Sequence, residues 1–115
     1  MEVLMLRSEQ VDWLCERLEA LGRIKPRRMF GAWGLYCDGI FFAIVADEIL
    51  YLKVDSVSRP AFEAAGLAAF TYSMKDGRQQ SLNYYPMPDS ALDDDGEFLA
   101  WARRGLEAAL RARKP

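Results

Sequence analysis

The chain has 115 residues, 51% hydrophobic and 28% charged, with a formal net charge of −2. These values describe one globular domain with an ordinary core; they exclude a disordered chain and argue against a general polyanion binder, leaving room only for a local basic patch. Histidine is absent, which removes the commonest general base and the commonest zinc ligand.

The first predicted element is a helix that starts near Ser8, a capping residue, and ends at Gly22. Val11, Leu14, Cys15, Leu18 and Leu21 give it one apolar stripe, and Trp13 falls beside the stripe. A basic connector follows, with Arg23, Lys25, Arg27 and Arg28 around Pro26. It reads either as a phosphate-binding patch or, by preference, as a solvated linker whose first charges suit the helix C-terminus.

Three strands are expected next, at 29–37, 40–46 and 49–54. Gly31 and Gly34 interrupt the first, which predicts a bend or a close approach of another group around Trp33. Asp38-Gly39 predicts a type I′ turn that sets Cys37 against Ile40, Tyr36 against Phe41 and Leu35 against Phe42. The second strand is apolar on both faces, so one face is expected to meet helices and the other a partner. Asp47-Glu48 forms the next turn. Its two-residue loop pairs Val45 with Leu50 and Ile44 with Tyr51, and places Tyr51 and Lys53 on the face carrying Phe42 and Ile44. Either a bulge resets this register or that face is mixed and partly exposed.

A short helix with Ser56 or Ser58 as cap and Pro60 in its first turn runs to Gly66, with Phe62 and Ala65 facing inward. A second hairpin follows around Asp76-Gly77, with Phe70, Tyr72 and Met74 inward on one strand and Leu82 and Tyr84 on the other, ended by Pro86 and Pro88. Asp94 and Glu97 open the last helix as a capping box. Phe98, Leu99, Ala102, Leu106, Ala109 and Leu110 form its stripe, and Gly105 implies close packing on the sheet. The fold class is therefore α+β, a two-layer α/β sandwich with a mainly antiparallel sheet in the order α-β-β-β-α-β-β-α.

No catalytic constellation is found. Cys15 and Cys37 belong to no metal or redox spacing and read as small buried hydrophobes. The carboxylates at Asp93–Glu97 lack calcium-loop spacing, and Gly31–Gly34 lacks phosphate-loop spacing. No cofactor and no metal are expected. There is no signal-peptide pattern and no membrane-length apolar run, so a cytoplasmic protein of a single domain over residues 1–115 is expected. The aromatics exceed what a small core hides, which points to a protein–protein surface.

Arg28-Met29-Phe30-Gly31, Gly34-Leu35-Tyr36, Asp38-Gly39 and Phe42-Ala43 resemble the signature of the TfoX N-terminal domain family. Leu50–Asp55, Ala61–Gly66 and Ala100–Arg104 resemble its later landmarks, while Ala32 stands where the family often has a second glycine. The resemblance implies a secretion-chaperone-like α+β fold in a bacterial regulator of natural competence that acts with a cyclic-AMP-dependent transcription factor. It implies no catalytic residue. Longer members carry a second, C-terminal domain, for which a chain ending at Pro115 leaves no room.

The expected function is a non-enzymatic regulatory, protein-binding domain, a homodimer through a sheet face or edge, with an unidentified protein partner for which a transcription factor is one candidate. Its interaction surface is expected at Arg27, Arg28, Phe30, Gly31, Trp33, Gly34, Tyr36, Tyr51 and Lys53. One alternative is nucleic-acid contact through Lys25, Arg27, Arg28 and the helix carrying Arg103 and Arg104. Another is a small-ligand binder or enzyme using a pocket around Trp33, Tyr36 and Lys53.

Overall fold

The computed structural model describes residues 2–29 and 31–113, with side chains from residue 9 onward. Helix α1 spans Glu2–Leu18 and continues through a 3-10 turn, Glu19–Leu21. Four strands follow: β1 (Ile24–Met29), β2 (Ala32–Cys37), β3 (Ile40–Ala46) and β4 (Ile49–Lys53). Then come α2 (Arg59–Ala64), the hairpin β5 (Thr71–Ser73) and β6 (Gln79–Ser81), β7 (Tyr84–Pro86), a 3-10 turn (Asp89–Asp93) and α3 (Asp95–Ala112). The main sheet is antiparallel, in the order β1-β2-β3-β4-β7, and β5-β6 forms a separate two-stranded sheet. The α+β class and the helix–strands–helix–strands–helix order are those read from the sequence.

Several local expectations are revised. Helix α1 begins well before Ser8, because Val3, Leu4, Met5 and Leu6 contain no helix breaker. The basic connector is not a linker but an edge strand. Ile24 and Pro26 pair with Cys37 and Leu35, and the chain reverses between Met29 and Ala32, with Gly31 at positive φ in the turn. One expected strand at 29–37 is thus two.

The Asp38-Gly39 turn has both residues at positive φ, as a type I′ turn requires. Cys37 faces Ile40 and Tyr36 faces Phe41 as expected, but Leu35 faces Ala43 instead of Phe42. A bulge between Leu35 and Tyr36 is responsible. It turns Phe42 and Ala43, both fully buried, toward the same layer. The β3–β4 register is the expected one, Val45 with Leu50 and Ile44 with Tyr51. Its turn holds Asp47 and Glu48 at positive φ, and Gln10 of α1 donates to the Glu48 carbonyl at 2.8 Å.

All three helices pack on one side of the sheet. Val11, Leu14 and Leu18 of α1, Phe62 of α2, and Phe98, Ala102 and Ala109 of α3 share a single core with Leu35, Cys37, Phe42, Val45 and Leu52. The buried line of α3 runs through Ala102, Gly105 and Ala109, so Leu110, placed in the stripe by sequence, is exposed. Asp94 caps α3 as expected by accepting from the Glu97 N–H at 2.9 Å.

Ser58 holds the N-cap position of α2, one of the two serines expected there, but its side chain makes no capping hydrogen bond. Ser58 Oγ accepts instead from Asp55 N–H, while Asp55 Oδ1 accepts from the N–H groups of Val57 and Ser58 in the turn before the helix. The same carboxylate takes two hydrogen bonds from Arg111 of α3, at 2.6 and 3.0 Å. Asp55 therefore ties the end of the meander to the last helix.

The second hairpin differs most from expectation. Residues of β5 and β6 are exposed, Tyr72 included, and add nothing to the core. The return strand breaks at Leu82–Asn83, so that only β7 joins the main sheet, beside β4.

Candidate functional site

The side of the sheet away from the helices carries the surface of interest. Strand alternation assigns it Lys25, Arg27 and Met29 of β1, Gly34 and Tyr36 of β2, and Phe41 and Ile44 of β3. Tyr51 and Lys53 of β4 and Tyr84 of β7 complete it. None of these ten residues belongs to the helix-covered core. Lys25 and Arg27 are exposed, and Tyr36, Phe41, Ile44, Tyr51 and Lys53 are half-buried.

Its aromatic rings form a row across the strands. Tyr36 stacks on Phe41 with centroids 5.1 Å apart, and Phe41 lies 5.9 Å from Tyr84. Cations stand at both ends, with the Arg27 guanidinium 5.7 Å from the Tyr36 ring and the Lys53 ammonium 5.4 Å from the Tyr84 ring. Beside the row, Tyr51 meets Phe70 edge-on at 4.7 Å. Gly34 lies under closely packed side chains. A β-carbon on it would lie 3.0 Å from both Met29 Cε and Phe41 Cε1, so these two side chains close over its backbone.

The charges on the strands of this face are all positive, with Asp38 and Asp47 in the turns at its borders. The five strands of the main sheet contain no Asp or Glu. Among the described residues, no carboxylate forms an ion pair with Lys25, Arg27 or Lys53. Burial keeps the phenols of Tyr84 and Tyr51 neutral at physiological pH. Burial pushes Tyr84 up to about 12, and burial, helped by the charge of Asp47, raises Tyr51.

The residues singled out by sequence are divided by the strand pleat. Arg27, Gly34, Tyr36, Tyr51 and Lys53 come together on the helix-free face, with Lys25 beside them. Trp33 and Arg28 point the other way. Trp33 packs against the core beside Val45, and Arg28 lies 5.2 Å from its ring. A pocket shared by Trp33, Tyr36 and Lys53 is therefore not formed. Gly31 sits in the exposed β1–β2 turn, and Phe30 lies outside the described residues. Arg103 and Arg104 are exposed on α3, in the helical layer, and so do not join Lys25 and Arg27.

Ile44 faces Tyr51 on this side as the sequence register has it, whereas Phe42, expected beside it, is turned into the core by the bulge. Phe41, Phe70 and Tyr84 are not in the surface read from sequence: Phe41 follows once the bulge fixes the phase of β3, while Phe70 and Tyr84 depend on β7 pairing with β4. An open depression lined by Arg23, Lys25, Asp38 and Gly39 adjoins the face at Lys25. Among the described residues, no three His, Cys, Asp or Glu side chains gather as a metal site, and no helix is long and apolar enough to cross a membrane.

Residues 16–109 match the family model described as TfoX N-terminal domain. The chain is also 33% identical over 96 residues to Protein Sxy of Escherichia coli (strain K12). That alignment covers 84% of this chain and 46% of Sxy, so the chain spans about half the length of this relative.

Proposed function

This chain belongs to the TfoX N-terminal domain family, and on that premise we propose that it is a non-enzymatic regulatory domain of the kind used in competence and transcription control. It acts by docking an anionic partner on the helix-free face of its sheet. The observation that carries this reading is the composition of that face, a row of partly and wholly buried rings on strands that carry three cations and no carboxylate. Strands charged with one sign on a chain of net charge −2 favour partners of opposite sign and speed their encounter.

The charge pattern also bears on self-association. A second copy laid face to face would set Lys25, Arg27 and Lys53 against the same cations. Both sheet edges are blunted, β1 by Lys25, Pro26 and Arg27 and β7 by its three-residue length and Pro86. Homodimerisation through another surface is a separate proposal; sedimentation at micromolar concentration tests it, and a monomer removes it.

The test of the regulatory reading is transcript profiling in the source cell. Lys25→Glu/Arg27→Glu/Lys53→Glu is compared with wild type and with a deletion, after confirming that the triple variant folds. The variant is expected to reproduce the deletion profile. A wild-type profile from the folded variant refutes the reading.

A further inference from the structure

We infer that the helix-free face binds single-stranded nucleic acid, with bases stacking on Tyr36 and Phe41 and phosphates meeting Lys25, Arg27 and Lys53. This rests on the proposal that the face docks an anionic partner, and it names that partner.

The chemistry of the face separates a single strand from other anions. An acidic polypeptide would use the three cations but has no use for a row of rings. An extended peptide would add as a strand at a sheet edge, and β1 and β7 carry Pro26 and Pro86 at those edges. A duplex keeps its bases stacked inside and presents mainly phosphates. A single strand offers both phosphates and free π-faces, and proteins that bind it combine a positive track with aromatic platforms.

Here the platform is the row Tyr36–Phe41–Tyr84, with ring spacings of 5.1 and 5.9 Å. Its outer members have a cation already placed over the ring, Arg27 at one end and Lys53 at the other. Tyr84 is 8% exposed and supports the row from beneath. Tyr36 and Phe41 are the partly exposed rings a base can reach. Because the bulge turns Phe42 inward, Phe41 stays on the open side next to Tyr36.

The probe is a fluorescein-labelled oligothymidylate of about twelve nucleotides, a length within the usual site size, read by anisotropy at low salt. A duplex of equal length and a labelled polyglutamate are the comparison ligands. The single strand is expected to bind best. Its log–log salt slope should be about −2, the value for three phosphate contacts on a single strand. Lys25→Glu/Arg27→Glu is expected to abolish binding, and both positions are exposed, so folding is preserved. Tyr36→Leu should weaken binding about tenfold, the loss of one stacked base. Arg103→Glu/Arg104→Glu, in the helical layer, should leave it unchanged.

Equal binding of duplex and single strand, insensitive to Tyr36→Leu, overturns the inference. Binding of polyglutamate but not of oligonucleotide, lost in Lys25→Glu/Arg27→Glu, also overturns it while upholding the anionic-partner reading. No binding of any of the three probes overturns the inference too, and the transcript profile then decides the wider reading alone.

Discussion

Replacing Gly105 with alanine sets two effects of similar size against each other where α3 meets β4. In an exposed helix the change would stabilise by about 1 kcal/mol, because glycine loses more backbone entropy than alanine. Gly105 is buried, however, and an added β-carbon would lie 3.1 Å from Leu52 Cβ, 3.4 Å from Leu52 Cδ2 and 3.4 Å from the Lys53 backbone nitrogen. Two of these atoms are fixed by the strand itself, so a rotamer change at Leu52 relieves only one contact.

The helix must therefore lift, at a cost typical of overpacking, about 1–3 kcal/mol. A net loss of about 1 kcal/mol is expected, or about 4 °C in midpoint for a chain of this size. Urea denaturation followed by far-ultraviolet circular dichroism measures it. The Tyr51 and Lys53 amides, which border the open face, should shift in a nitrogen–proton correlation spectrum. Equal or greater stability of Gly105→Ala would refute the reasoning, since the contact with Leu52 would then impose nothing on the helix.

Asp55 gives a pH prediction. Hydrogen bonds from Arg111, then from Ser58, hold its carboxyl well below the usual range against the opposing effect of burial. A depressed pKa in the fold stabilises above the unfolded value of about 3.9 and loses that contribution as pH falls below it. The stability gap between wild type and Asp55→Asn should thus hold down to about pH 5 and narrow progressively as pH falls through about 3.9 and below; a constant gap counts against it. Both thiols are expected to be inert in the fold. Burial, then Asp12 and Glu19, pushes Cys15 to about 11, and burial, then Asp38, raises Cys37. Labelling by a disulfide reagent should be slow in native protein and fast in urea, and rapid native labelling contradicts this. Finally, Pro26→Val/Arg27→Val removes two of the features that blunt the β1 edge. Concentration-dependent self-association by light scattering is expected, and a variant that scatters like wild type would show that the edge is protected otherwise.

Much of the fold lay in patterns that need only near neighbours. The turn at Asp38-Gly39, the cap at Asp94, the stripe Val11–Leu14–Leu18 and the alternation of Leu50 and Leu52 with Tyr51 and Lys53 each follow from local sterics, hydrogen bonding or periodicity. The family resemblance was legible for a related reason. Gly34 and Asp55, two of its landmark positions, answer specific demands: space beneath Met29 and Phe41, and a carboxylate that holds the turn before α2 and also receives Arg111.

What only the tertiary structure decided is which side of the sheet each residue faces and what lies over it. The bulge at Leu35/Tyr36 changes the phase of β3 by one residue, and a one-residue change moves side chains to the opposite face. The same pleat sends Arg27 and Arg28, adjacent in sequence, to opposite faces, and it separates Trp33 from Tyr36. Pairing of β7 with β4 brings Tyr84 beside Phe41 across forty-odd residues of chain, a contact no short window contains. Sequence periodicity records that a strand is apolar on both sides. Only the packed helices determine which side stays open, because burying one face of the sheet leaves the other to whatever partner matches its charge and its rings.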